Sequence, residues 1–229
     1  MEKVFNKHET LFTIALIIMY VVVNSYLMQN FGYTSIQSAI VNTIMSILII
    51  ALIIAIKREK YYGLTKANNS KKFLYFIPLI VISLFNLRNG IHLNNPTNEI
   101  VSFIITMLNV GFIEEMIFRG FLFKSIEKDN VKRAIIISSI TFGIGHIVNL
   151  LNGAELIPTL LQVCYAISIG YMLVMVFYKS KSIIPCIIFH SIFNSLSIFN
   201  NGESNIISIV ILIIICLTYA IYINKNIKD

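Results

Sequence analysis

Charge is what this sequence has least of. Only 13% of its 229 residues are Asp, Glu, Lys or Arg while 57% are hydrophobic, too little polar surface to cover a water-soluble domain of this length. Strand-like alternation of apolar and polar residues is also missing, which leaves helices as the way to satisfy the backbone in lipid. Cysteine is sparse: Cys164, Cys186 and Cys216 all fall inside apolar runs, so a disulfide framework has no loops to staple. No internal repeat, linker or soluble domain divides the chain.

What is present is a succession of apolar runs near 11–29, 36–56, 73–87, 99–122, 134–150, 157–178, 183–199 and 205–223. Several reach the ~20 residues that a helix needs to cross a hydrocarbon core. The expected fold class is therefore all-α, a polytopic transmembrane helical bundle of about eight spans. It divides into three N-terminal spans over 1–98, a core over 99–200, and a last span with its tail over 201–229. The first run follows Lys3 and Lys7 as the core of a signal peptide would, but it is too long and lacks a small-x-small cleavage site, so it reads as a retained span. The third is short and contains Pro78, which predicts a tilt, a kink or a continuation through Leu93.

The basic residues test this count independently. With the N-terminus cytoplasmic, Lys57, Arg58, Lys60, Lys66, Lys71 and Lys72, then Lys124, Lys128, Lys132 and Arg133, then Lys179 and Lys181, then Lys225 and Lys228 all fall on one side. The external loops hold only Arg88. Gaining or losing one span would scramble this order, so the sequence predicts a multi-pass protein of the cell membrane with both termini cytoplasmic. The net charge of +7 is explained by topology, which excludes nucleic acid as a partner. The bilayer itself is the expected partner, and the Lys57 to Lys72 stretch suits anionic headgroups. Heavy use of Ile, Asn and Lys is the composition of an AT-rich bacterial genome. No signature sets an oligomeric state.

Ionisable residues inside spans cost at least ~2.5 to 3.5 kcal/mol each, so those present call for an explanation. Glu114, Glu115 and Arg119 lie in the fourth run, His146 in the fifth and His190 in the seventh. A rise of ~1.5 Å per residue puts Glu114 and His190 roughly 12 to 14 Å, and His146 roughly 20 Å, from the cytoplasmic ends. Glu115 and Arg119 stand at i, i+4, the spacing of a same-face ion pair and a structural pin, with Glu114 turned about 100° away and left free. A free intramembrane carboxylate is a candidate general base. His190 and Asn194 share a helix face one turn apart, and Phe142 precedes His146 by one turn, with Gly143 and Gly145 leaving room for a close approach. Cys186, one turn before His190, raises a thiol–imidazole dyad as a minor alternative. The tyrosines and phenylalanines read as ordinary lipid-facing or interfacial residues.

Glu114-Glu115-x-x-x-Arg119, Phe142-x-x-x-His146 and His190-x-x-x-Asn194, in that order on successive helices, resemble the three motifs of the CPBP (CAAX protease and bacteriocin-processing, or Abi) family. The resemblance covers roughly residues 99–200. Signatures of other intramembrane proteases are missing: no HExxH, no GxGD pair, no GxSG. The resemblance implies an endopeptidase that cleaves near the cytoplasmic membrane face, on a CAAX-type, bacteriocin-type or signal-peptide-type substrate or a membrane protein. Glu114 would activate water, His146 would position it or share its proton, and His190 and Asn194 would donate to the oxyanion. Glu115, Arg119 and Phe142 would support the site. This mechanism needs no cofactor; the alternative makes Glu114, His146 and His190 ligands of a catalytic zinc. Two other classes stay open, a non-proteolytic scaffold or self-immunity protein and a proton-coupled transporter.

Overall fold

The computed structural model describes residues 2–65, 76–200 and 205–227, with side chains from His8 onward. Lys66, Lys71, Lys72 and Lys228, used above for topology, lie outside the described residues, as does the start of the third apolar run.

The described residues are helical wherever the sequence is apolar, and they form no strand. Helix α1 is Glu2–Asn30, α2 is Ile36–Ala55, and α3 is Ile77–Ser83, extended by a tighter turn over Leu84–Leu87. Helix α4, Thr97–Glu115, runs on through a π-helical stretch, Met116–Phe123, into α5, Lys124–Glu127. Helix α6 is Val131–Gly145 with a tight turn over His146–Leu150, α7 is Leu156–Ser180, α8 is Ile184–Leu196 with a turn over Ser197–Phe199, and α9 is Ile206–Asn226. Six helical segments are long and apolar enough to span a membrane, and two apolar ones, Ile77–Leu87 and Ile184–Phe199, are shorter. The chain is a multi-pass membrane protein.

Local chemistry sets the ends. Ser35, Asn130 and Asn205 cap α2, α6 and α9 by accepting from the backbone N–H groups of Ser38, Arg133 and Ile207. Pro78 and Pro185 sit in the first turns of α3 and α8, where a missing N–H costs nothing, so Pro78 starts its helix rather than kinking it.

Two glycines bring helices into contact. A Cβ on Gly111 of α4 would lie 2.7 Å from the backbone nitrogen of Ser191 on α8, and one on Gly143 of α6 would lie 2.8 Å from that of Ile167 on α7. Gly145, in contrast, would meet nothing within 4 Å; it borders open space.

Hydrogen bonds fix which helix ends share a side. Ser25 donates to Asn152, Asn86 to the Phe193 carbonyl and the His92 N–H to the Phe199 carbonyl, which gathers the ends of α1, α3, α6 and α8. At the opposite end, Tyr61 donates to the Lys124 carbonyl, the Ile183 N–H to the Gly63 carbonyl and Ser182 to the Thr65 carbonyl. Glu9, only 3% exposed, is held there by Tyr62 at 3.0 Å, by Lys128 and by Arg58 at 3.8 Å. Burial and then the neighbouring Glu9 charge push the Tyr62 phenol far above its ordinary range. Apart from Arg88, the described Lys and Arg residues occupy that end, and it is sealed: every residue from Met116 to Phe123 is buried, with Phe123 against Phe177 and Phe121 against Tyr62.

Candidate active site

Four polar side chains meet where α4 faces α8. The Glu115 carboxylate, fully buried, accepts through Oε1 from Arg119 Nη1 at 2.9 Å, the predicted pin. The same oxygen is 2.7 Å from His190 Nδ1. An ionised carboxylate only accepts, so Nδ1 carries the proton in that bond and Nε2 is the nitrogen turned to Glu114, 3.4 Å from its Oε2. Arg119 also donates to the Gly170 carbonyl at 3.3 Å and lies over the Phe142 ring, 4.3 Å from its guanidinium carbon. Phe142 also meets His146 and His190 edge to face, at 5.6 and 5.5 Å between ring centres. One phenylalanine therefore spaces both imidazoles and the arginine.

Glu114 is not free, as spacing alone suggested. Tyr20, on α1 and 6% exposed, donates to its Oε1 at 2.7 Å, whereas Oε2 is buried with no hydrogen-bond partner. This also corrects the view of the tyrosines as ordinary lipid-facing residues, because helical spacing cannot say which tyrosine turns inward. Glu9, Thr13, Leu16, Tyr20, Asn24 and Leu27 are the buried stripe of α1, which puts Tyr20 at the centre of that face.

Glu114, His146, His190 and Asn194 line one cavity of about 380 Å³ together with Tyr20, Phe142 and Gly145. His146 caps α6, where the helix tightens, and its Nδ1 stands 3.4 Å from Gln162 Nε2 of α7; Asn149 donates to the Gln162 carbonyl oxygen at 2.9 Å. The Asn194 side chain makes no hydrogen bond among the described residues. Tyr33, between α1 and α2, also lines the cavity; burial and then the Glu114 charge push its phenol up to about 12. The thiol–imidazole alternative does not form. Cys186 is buried with Sγ against the Leu173 carbonyl at 3.3 Å, and both His190 nitrogens face carboxylates.

Among the described residues no three His, Cys, Asp or Glu side chains are grouped to hold a metal ion, and Glu114, His146 and His190 are no exception.

The cavity runs along the second half of α1, along α4 from Phe103 to Glu114 and on to Phe118, the end of α6, the first half of α7 and the end of α8, out to Asn86, Asn152 and Ser197. Its mouth is thus at the end of the bundle away from the described basic loops.

A helical membrane protein with a glutamate–histidine centre facing a cavity inside the bundle is the class that fold and site define. Residues 96–196 match the family model described as Rce1-like, type II CAAX prenyl endopeptidase, in line with the resemblance drawn from the three motifs. No curated protein is similar enough to the chain to add a named relative. All seven residues of the three motifs lie inside the matched segment. Tyr20 lies outside it.

Proposed function

We propose that the protein is an intramembrane endopeptidase in which Glu114 activates water for attack on a peptide carbonyl. The observation that carries this reading is the state of Glu114: one oxygen held by Tyr20, the other buried, without a hydrogen-bond partner and beside His190 at the wall of the cavity. Oε2 takes a proton from water as the hydroxyl oxygen bonds to the carbonyl carbon. When the C–N bond breaks, the same proton passes to the leaving nitrogen, which gives a free amine and a carboxylic acid. His190 Nε2–H and the Asn194 amide supply the two donors for the oxyanion, and His146 orients the water from the far wall. Glu115 keeps Nδ1 of His190 as a donor and so fixes the ring with Nε2 facing the site, where the protonated imidazole donates through Nε2–H. Substrates of CAAX, bacteriocin-precursor or signal-peptide type all present an extended peptide that such a cavity admits.

The test compares peptides from membranes of cells carrying wild-type and Glu114→Ala protein. A cleavage product present only with the wild type supports the reading; identical peptide sets argue for a scaffold of the same fold.

Tyr20 is a positioning residue in this mechanism, acting through Glu114. Tyr20→Phe keeps the buried ring and removes only the donor. The expected result is a kcat lower by about 10- to 100-fold, with KM and the amount of folded protein unchanged. An unchanged kcat, or a loss confined to KM, would remove Tyr20 from the mechanism.

A further inference from the structure

The direction in which the site opens sets where its substrate must be. The cavity reaches one end of the bundle: Tyr20, Asn24 and Ser25 line it along the second half of α1, Asn149 and Asn152 beyond α6, and Asn194 and Ser197 at the end of α8, while α4 lines it from Phe103 to Glu114 and on to Phe118 at its floor. The other end is closed. Below Glu114 the chain packs the buried Met116–Phe123 stretch against Phe177, Tyr62 and Ile183, all at most 2% exposed. Among the described residues, Lys57, Arg58, Lys60, Lys124, Lys128, Lys132, Arg133, Lys179, Lys181 and Lys225 stand at or beyond that closed end, whereas Arg88 stands at the open one. Loops this rich in Lys and Arg are retained in the cytoplasm during insertion.

We infer that the cavity opens to the outer face of the membrane and that its substrate is a peptide segment presented there. Such a segment is the membrane-proximal part of a translocated precursor or the outer juxtamembrane stretch of a membrane protein, rather than a C-terminus anchored on the cytoplasmic leaflet. The mouth fits this chemistry. Its outer lining is uncharged carboxamide and hydroxyl, from Asn24, Ser25, Asn86, Asn149, Asn152 and Ser197, groups that can donate to and accept from an extended backbone. The inference takes the catalytic role of the cavity from the proposed function, but its test does not depend on turnover.

Single cysteines are placed in a Cys164→Ser background at Ala154, an exposed loop position beside the mouth, at Ser197, on the cavity rim, and at Lys132, exposed on the closed end. Intact cells are treated with a membrane-impermeant maleimide before and after permeabilisation. The expected result is labelling of Ala154→Cys and Ser197→Cys in intact cells, with Lys132→Cys labelled only after permeabilisation. The reverse pattern would overturn the inference by turning the mouth to the cytoplasm. Labelling of Ala154→Cys with Ser197→Cys silent in both states would overturn it as well, because the rim would then be closed to water. A protein that labels as expected yet yields no cleavage product counts against the protease reading alone.

Discussion

Glu114→Gln is expected to leave the protein folded and to lower hydrolysis by about 10²- to 10⁴-fold or more, the contribution of a general base. The substitution is nearly isosteric. The glutamine carbonyl oxygen still accepts from Tyr20, so the contact between α1 and α4 survives, while the oxygen that faced the cavity becomes an amide nitrogen that cannot take a proton. Glu114 also lies outside the Arg119 pair, so Arg119 keeps its counter-charge. The measurement is turnover per folded molecule, with thermal unfolding in detergent as the check on folding. Retained turnover would place the base elsewhere.

Glu115→Gln is expected to do the opposite and act first on folding. Arg119 is fully buried, and Glu115 is the carboxylate it pairs with. Removing one member of a buried pair costs about 3 to 5 kcal/mol, a large part of the ~5 to 15 kcal/mol that typically holds a domain together. The folded fraction should therefore fall sharply. Glu115→Leu combined with Arg119→Met removes both charges and should recover much of the folded protein. The recovered variant should still be slow, because His190 Nδ1 has lost the anion that directs its proton. Equal abundance of Glu114→Gln and Glu115→Gln, with equal loss of activity, would contradict this division of roles.

Much of this was legible in the sequence because lipid penalises charge. Glu114, Glu115, Arg119, His146 and His190 stood out against apolar runs, and the i, i+4 spacing of Glu115 and Arg119 anticipated their 2.9 Å contact. Spacing acts within one helix, and so could not anticipate contacts between helices. The Glu115 bond to His190 crosses from α4 to α8, the Tyr20 bond to Glu114 crosses from α1 to α4, and the Gln162 contact with His146 crosses from α7 to the end of α6. Tyr20 and Gln162 are neutral and cheap to bury, so neither departs from its surroundings as a charge does. The π-helical turn after Glu115 and the closed lower end are packing outcomes of the same kind. The two short helices were harder still, since apolar runs report burial in lipid and not full crossing. Gly143 and Gly145, alike in the sequence, parted in the fold: one makes room for α7 and the other lines the cavity.

The central claim is that Glu114 works as a base, and its nearest rival keeps the same residues in another role. A carboxylate behind a histidine, as Glu115 stands behind His190, would orient a zinc ligand as well as an oxyanion donor. Metal content and activity measured on one purified preparation decide between them. With Glu114 as the base, zinc is well below one ion per chain, turnover survives chelator treatment, and folded Glu114→Gln shows no turnover. One zinc per chain, removed by chelator together with activity and restored with it when zinc is added back, would contradict the account and make Glu114 a ligand.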